Sequence, residues 1–193
     1  MMTETNHPAP GHGLAYTGHL PLAWSELAAL PSSTELTNLD YANLDVLRNI
    51  LALEIQAGDP SEDPLESGSQ DMARLDLKLN LLLELVGQLF AQHHMIPPAH
   101  PLTLMADGML WQATAAPTLN SLLRIEVYCH LKYPRPLVLH GQVTEVSPQA
   151  DGWSVQTLFR GLGEPVREDL ERFIFIHHRR TIAYNRRRNK PSS

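Results

Sequence analysis

Between Leu36 and Ile55 the apolar residues Leu36, Leu39, Val46, Leu47, Ile50, Leu51 and Leu53 recur at helical spacing. Ser32-Ser33-Thr34 in front, with Glu35 close behind, offers N-caps, and Gly58-Asp59-Pro60 ends the helix. A shorter apolar piece, Leu22 to Leu30, predicts one or two helical turns stopped by Pro31. A further helix is expected from about Ser69 to His94, where Pro97-Pro98 closes it. After Pro101 the period changes from helix to strand. Leu102, Leu104 and then Met109 to Gln112 predict short strands around an Asp107-Gly108 turn. Leu123, Ile125, Val127, Cys129 and Leu131 alternate with Arg124, Glu126, Tyr128, His130 and Lys132, a strand with one wet face. Leu137 to Val146 predicts another strand, Ser147 to Gly152 a turn, and Trp153, Val155, Thr157 and Phe159 a last strand. Antiparallel strands on short connections predict a small β-barrel. The final helix starts at Gly163-Glu164-Pro165 and turns Val166, Leu170, Phe173 and Ile174 toward the barrel.

The densest apolar stretch lies between Asp71 and Gln92, with 8 leucines in 22 residues. Met72, Leu79 and Val86 occupy heptad position a, and Leu75, Leu82 and Leu89 position d. A strict seven-residue repeat keeps such a stripe facing a partner helix. Leu83 and Phe90 at e, Leu85 at g, and a second stripe of Leu77 and Leu81 widen the apolar surface beyond what a two-stranded coil buries. One reading is a plain antiparallel hairpin with the Leu36–Ile55 helix. The sharper reading is self-association through Met72, Leu75, Leu79, Leu82, Val86 and Leu89, with a tetramer favoured and a dimer next.

Composition narrows the class. The chain has 193 residues, 43% hydrophobic and 19% charged, enough to bury a core. Its net charge of -6 argues against a globally basic nucleic-acid binder. A single cysteine, Cys129, excludes an internal disulfide, and it falls on the inward register of its strand, hence buried and inert. No basic n-region with an apolar h-region opens the chain, and no apolar run reaches membrane length, so a cytoplasmic protein is expected. The charge is segregated: residues 1–100 carry a net -10 and residues 101–193 a net +4. No acid follows Glu171, whereas Arg172, Arg179, Arg180, Arg186, Arg187, Arg188 and Lys190 do. The two halves should therefore attract each other, within or between chains.

The order of these parts resembles a known family. The barrel followed by Glu168-Asp-Leu-Glu-Arg-Phe-Ile-Phe-Ile-His-His-Arg-Arg180 resembles the PilZ domain, as do Met105 to Trp111 and Leu139 to Val146. Ala73-Arg-Leu-Asp-Leu-Lys-Leu-Asn80, ahead of such a barrel, resembles the helical insert of the atypical PilZ subfamily. The resemblance covers roughly residues 20–185. It implies a receptor for cyclic di-GMP, gripped through an Arg-x-x-x-Arg segment before the barrel and an Asp/Asn-x-Ser-x-x-Gly motif on the first strands. Arginine forks suit phosphates and guanine edges. This chain departs from both motifs. Gln92 to His100 holds no arginine, and aligning Gly108 puts Thr103 and Met105 where the acid or amide and the serine belong. Two lost charge-assisted contacts, roughly 1.5–3 kcal/mol each, weaken affinity by about a hundredfold or more.

The expected fold is therefore α+β: a small antiparallel PilZ-like β-barrel with a C-terminal helix, preceded by long helices that form an oligomerisation module. The expected divisions are a flexible arm over 1–20, a helical module over 21–96 with its heptad helix at about 71–93, the barrel and last helix over 97–185, and a basic tail over 186–193. The expected function is a non-enzymatic signalling or adaptor protein of a bacterial cyclic di-GMP pathway that assembles through the heptad helix and meets an unidentified signalling protein. No binding of cyclic di-GMP is expected in the usual site; the alternative is a receptor with a rearranged site using Arg124, Arg179 or Arg180. No catalytic motif is present. His93-His94, His100 and His177-His178 meet no metal-ligand spacing, so no metal or cofactor is expected. Trp24, Trp111 and Trp153 are expected in the core or barrel wall. The Arg186–Lys190 tail reads as a solvated end that complements its helix dipole, and nucleic acid is not an expected partner.

Overall fold

The computed structural model describes residues 14–56, 72, 74–75, 77–82, 85–86, 96–130 and 133–188. In chain order they form β1 (Tyr16–Leu27), α1 (Ser33–Gln56), helical positions 72, 74–75, 77–82 and 85–86 (α2), β2 (Ala99–Leu104), β3 (Gly108–Ala113), β4 (Leu122–Val127), β5 (Leu137–Gln149), β6 (Gly152–Phe159) and α3 (Glu164–Arg188). The six strands close into an antiparallel barrel in the order β1-β2-β3-β6-β5-β4. Leu104, Met109, Trp111, Leu123, Ile125, Leu139, Val143 and Val155 fill its interior, and Trp24 and Trp153 are half-buried against it.

The first strand departs from expectation. Residues 16–20, expected as part of a flexible arm, and residues 22–27 of the stretch Leu22 to Leu30, expected as helical turns, lie with Pro21 in one strand, β1. Tyr16 to Pro21 pair with β2, and Leu22 to Leu27 pair with β4, so this strand closes the barrel. Gly18 and Pro21 look like breakers in the sequence. Pro21 instead sits where the strand changes partners, and the missing N–H costs no ladder bond there. Its carbonyl still accepts from the Tyr128 N–H at 3.0 Å. Two smaller differences concern strand ends. Ser147 to Gln149 stay in β5, with Pro148 opposite Trp153, so the turn is only Ala150-Asp151, and Gly152 takes φ 136°, which favours glycine. Strand β4 stops at Val127, so Cys129 lies beyond it; Leu131 and Lys132 fall outside the described residues.

Helix α1 begins with a capping box. Ser32 Oγ accepts from the Glu35 N–H at 3.4 Å, and the Glu35 carboxylate accepts from the Ser32 N–H at 2.9 Å. Leu44, Leu47, Ile50 and Leu51 are buried, as are Val166, Leu170, Phe173 and Ile174 of α3. Helix α1 packs on α3 and β5. Polar ties set the register. The Gly163 N–H donates to Asp40 Oδ1 at 3.3 Å, Arg48 Nε lies 3.5 Å from Asp169 Oδ2, and Arg180 binds both the carboxylate and the main-chain oxygen of Glu54. Residue numbers climb together on both helices, so α1 and α3 run parallel. Buried Asn43 anchors the pair to the barrel: its Nδ2 donates to Val138 O at 2.8 Å and its Oδ1 accepts from Val138 N at 3.0 Å. Pairing of β5 with β6 starts only at Gly141, so Asn43 satisfies main-chain groups that β6 does not reach.

Asn43→Ala strands both Val138 groups, and chemical denaturation should show a loss of about 3 kcal/mol. Asp40→Ala removes one partly exposed acceptor at the start of α3 and should cost only about 1 kcal/mol. A larger loss for Asp40→Ala than for Asn43→Ala would contradict this account of how the helices are anchored.

Candidate functional site

The expected ligand motif folds into the β2–β3 connection. Thr103 lies on β2, where its Oγ1 is 3.2 Å from Thr17 Oγ1 on β1. Met105 donates its N–H to Gly108 O at 2.9 Å, closing the turn, and the Phe159 N–H donates to Asp107 O at 2.8 Å. Gly108 has a structural reason to be glycine: a Cβ there would run into the Thr157 main-chain oxygen of β6. The one motif residue that matches the family pattern is thus required by strand packing alone.

Beside this turn is a cleft of about 420 Å³ lined by Leu14, Met105, Ala106, Asp107, Arg167, Glu171 and Ile174. Its ionic groups are two carboxylates and one guanidinium, and Arg167 Nε leans toward Glu164 Oε2 at 3.6 Å. That balance opposes a doubly anionic ligand. Arg167 was not legible as a lining residue, because only the packing of α3 over the β2–β3 turn brings it there.

The three arginines of the rearranged-site alternative go to separate partners. Arg124 pairs with Glu126 on the β4 wall. Arg179 lies over the exposed ring of Phe175, 5.7 Å from its centroid. Arg180 is held by Glu54 at the α1–α3 junction.

That junction is the most heavily buried ionic cluster among the described residues. Glu54 is a buried acid held by Arg180, with His177 Nε2 3.6 Å from its Oε1. The His177 ring packs on Phe173 (centroids 4.4 Å apart) and edge-on to Tyr16 (5.2 Å). Burial pushes the His177 imidazole below its ordinary value. His140 is lowered as well, by burial first and by Arg124 second. Burial raises the Tyr16 hydroxyl, with Cys129 adding to it, and pushes the Cys129 thiol up to about 12. The cysteine is buried, as expected, and at neutral pH it carries no thiolate. Among the described residues no three His, Cys, Asp or Glu side chains gather as a metal site. His93 and His94 lie outside the described residues.

The expected assembly face is exposed. Met72, Leu75, Leu77, Leu79, Leu81, Leu82, Leu85 and Val86 of α2 are each 52 to 71% accessible. Leu83, Leu89 and Phe90 lie outside the described residues. These described positions of the heptad seam are open to solvent in a single copy of the chain.

Comparison with known proteins agrees with this architecture. The sequence matches, over residues 47–187, the family described as atypical PilZ domain, cyclic di-GMP receptor. A solved structure of a pathogenic protein from Xanthomonas campestris is described as a tetrameric PilZ domain self-assembled via an unusual helical bundle. It superposes with a TM-score of 0.68 at 23% identity, covering 89% of this chain and 91% of that one. At that identity the likeness shows a shared fold. No curated protein matches the chain.

The lowered imidazoles carry a pH consequence. An unfolded histidine takes up its proton near its ordinary value, whereas the buried ring resists until a lower pH. Stability is therefore full above the unfolded value and declines as the pH falls through it toward the folded one. Denaturant midpoints at about pH 7.5 and about pH 5.5 should show a smaller acid loss for His177→Gln than for the parent chain. An equal loss would contradict a buried neutral His177.

Proposed function

The chain belongs to the atypical PilZ family, and from that premise we propose a non-enzymatic adaptor of a bacterial cyclic di-GMP pathway. It assembles through α2 and presents several barrels to a signalling protein. The observation that carries this reading is the row of uncovered apolar side chains on α2. Eight large apolar groups in water are costly, at roughly 1.5–3 kcal/mol each for full burial, and association recovers that energy. Met72, Leu75, Leu79, Leu82, Val86 and Leu89 form the seam, and a tetramer is favoured. Self-assembly of the Xanthomonas campestris neighbour by a helical bundle supports the same use of this segment. Linked barrels gain avidity for a partner without any new contact.

In this reading cyclic di-GMP does not occupy the family's usual site. The motif arginines are absent, and the cleft beside the motif turn carries Asp107 and Glu171 against Arg167. The proposed divisions are the barrel with β1 and the last helix, and the helical module; the expected basic tail over 186–193 is corrected in its first part, since Arg186 to Arg188 belong to α3. No helix among the described residues is long and apolar enough to cross a membrane.

Titration calorimetry with cyclic di-GMP and light scattering on the same sample test both halves of this reading. The expected result is no heat from a sample of tetramer mass, and monomer mass for Leu79→Asp with Leu82→Asp. Saturable micromolar binding would overturn the lost-site reading and make the chain a receptor. A parent chain of monomer mass would overturn assembly through α2.

A further inference from the structure

The last turn of α1 meets α3 through one shared carboxylate. Glu54 is buried, and Arg180 takes both its carboxylate and its main-chain oxygen. One turn earlier on α3, His177 Nε2 lies 3.6 Å from the other carboxylate oxygen, Glu54 Oε1. That distance is too long for a hydrogen bond, and Nε2 is buried without a hydrogen-bond partner. Buried polar atoms are nearly always paired, so an unpaired ring nitrogen beside a buried acid calls for a physical reason.

Among the described residues, the groups around this ring come from three elements. Helix α1 supplies Glu54, and α3 supplies Phe173, 4.4 Å away between centroids, and Arg180 on the shared carboxylate. Strand β1 supplies Tyr16, edge-on at 5.2 Å, whose hydroxyl burial keeps neutral at neutral pH. The charged neighbours are thus one acid and one base that already balance. An imidazolium here is attracted by Glu54 and repelled by Arg180, while burial between two aromatic rings strips its water. Burial wins: it lowers the affinity of His177 for a proton. A path for that proton exists, because His177, His178, Tyr16 and Thr181 line a cleft of about 570 Å³ between the start of β1 and α3.

We propose that His177 is an acid-sensitive latch on the end of α1: a proton taken from solvent onto its imidazole releases the last turn of α1 from α3. The neutral ring packs against Phe173 and Tyr16 and leaves Glu54 to Arg180. The charged ring is a second cation on a carboxylate that already holds one, and opening α1 at Glu54 returns all three charges to water. The event is local, because α1 stays anchored upstream by Asn43 on Val138 and by Arg48 on Asp169. Helix α1 ends at Gln56, and the chain runs on from there toward α2. The latch therefore sets how firmly the barrel is joined to the helical module. It is a property of a single chain and does not depend on assembly through α2.

Hydrogen exchange on the full chain, with rates corrected for the intrinsic effect of pH, reads the latch at the amides of residues 51–56. Local opening rises as the pH falls through the ordinary histidine value and levels off at the lower folded one. Between about pH 7.5 and about pH 5.5, protection at 51–56 should fall severalfold, with a ceiling of about tenfold, while the amides of β5 hold. His177→Gln and His177→Leu, neutral replacements of different polarity, should each flatten the response. His178→Gln and His140→Gln should leave it as in the parent. The same response is expected whether the parent scatters as a monomer or as a multimer, so the failure of assembly through α2 is read separately. A response that survives replacement of His177 would overturn the proposal, as would an equal loss in β5, which is general acid unfolding. A gain of protection on acidification would do the same, since Glu54 would then be acquiring a partner. The parent alone gives a second check: NMR of its histidine rings should show one whose titration follows the opening at 51–56, and opening without such a ring contradicts the latch.

Discussion

The seam between α1 and α3 is the constraint on which the arrangement depends. Leu47 and Ile50 from one helix and Leu170, Phe173 and Ile174 from the other are fully buried, and their burial supplies the energy. Apolar contact alone would tolerate sliding along the helices. The ties from Asp40 to Gly163, Arg48 to Asp169 and Glu54 to Arg180 remove that freedom, because each fits one register only. Two of them join the acidic half of the sequence to the basic half by ion pairs. A buried carboxylate such as Glu54 is unfavourable unless its charge is matched, and Arg180 matches it while also binding the Glu54 carbonyl in the last turn of α1. The result is a parallel helix pair, a less common arrangement for two helices of one small domain. It is possible here because five strands and α2 intervene between them in the chain.

The parallel arrangement has a functional consequence. Both helices end at the same side of the barrel, so the chain leaves α1 for α2 at the end where the basic half of α3 emerges. The described strands close into a barrel, so no strand is left without a neighbour on each side along part of its length. Recognition then falls mainly to side chains on the barrel wall, on α3 or on α2. The β2–β3 turn, where the family pattern would place a ligand, is satisfied by its own main-chain bonds to Gly108 and Phe159. Its neighbouring cleft is net acidic. These are the features on which the proposed scaffold role rests.

Much of this was written in the residue pattern, and the exceptions have specific causes. Helix α1 announced itself through Val46, Leu47, Ile50 and Leu51, and α3 through Val166, Leu170, Phe173 and Ile174, because each is a one-sided apolar stripe. Strands β3 to β6 showed the alternation of a half-buried wall. Strand β1 did not, since Leu20, Pro21 and Leu22 are consecutively buried where the strand passes from β2 to β4, which erases the period of two. Charge marks out Arg124, Arg179 and Arg180 in the sequence, and charge does not reveal partners. Arg124 and Arg180 are neutralised by acids, one two residues away and one on another helix. Arg167 reaches the cleft only through a tertiary contact that no local spacing encodes.

The gross charge asymmetry was visible from the start, but its meaning depends on which charges the fold consumes. Glu54 and Asp169 are consumed inside the chain by Arg180, Arg48 and Arg172. On α3 itself Glu164 pairs with Arg167 one turn on, and Arg179 lies over the Phe175 ring. Acids in the first turns of α3 and arginines toward its end also complement the helix dipole, which is reason enough for charge to be segregated along it. The sign of each half of the chain therefore does not predict its pairs. At the α1–α3 seam Glu54–Arg180 runs with that sign and Arg48–Asp169 runs against it, because register and burial, not gross charge, choose the partners.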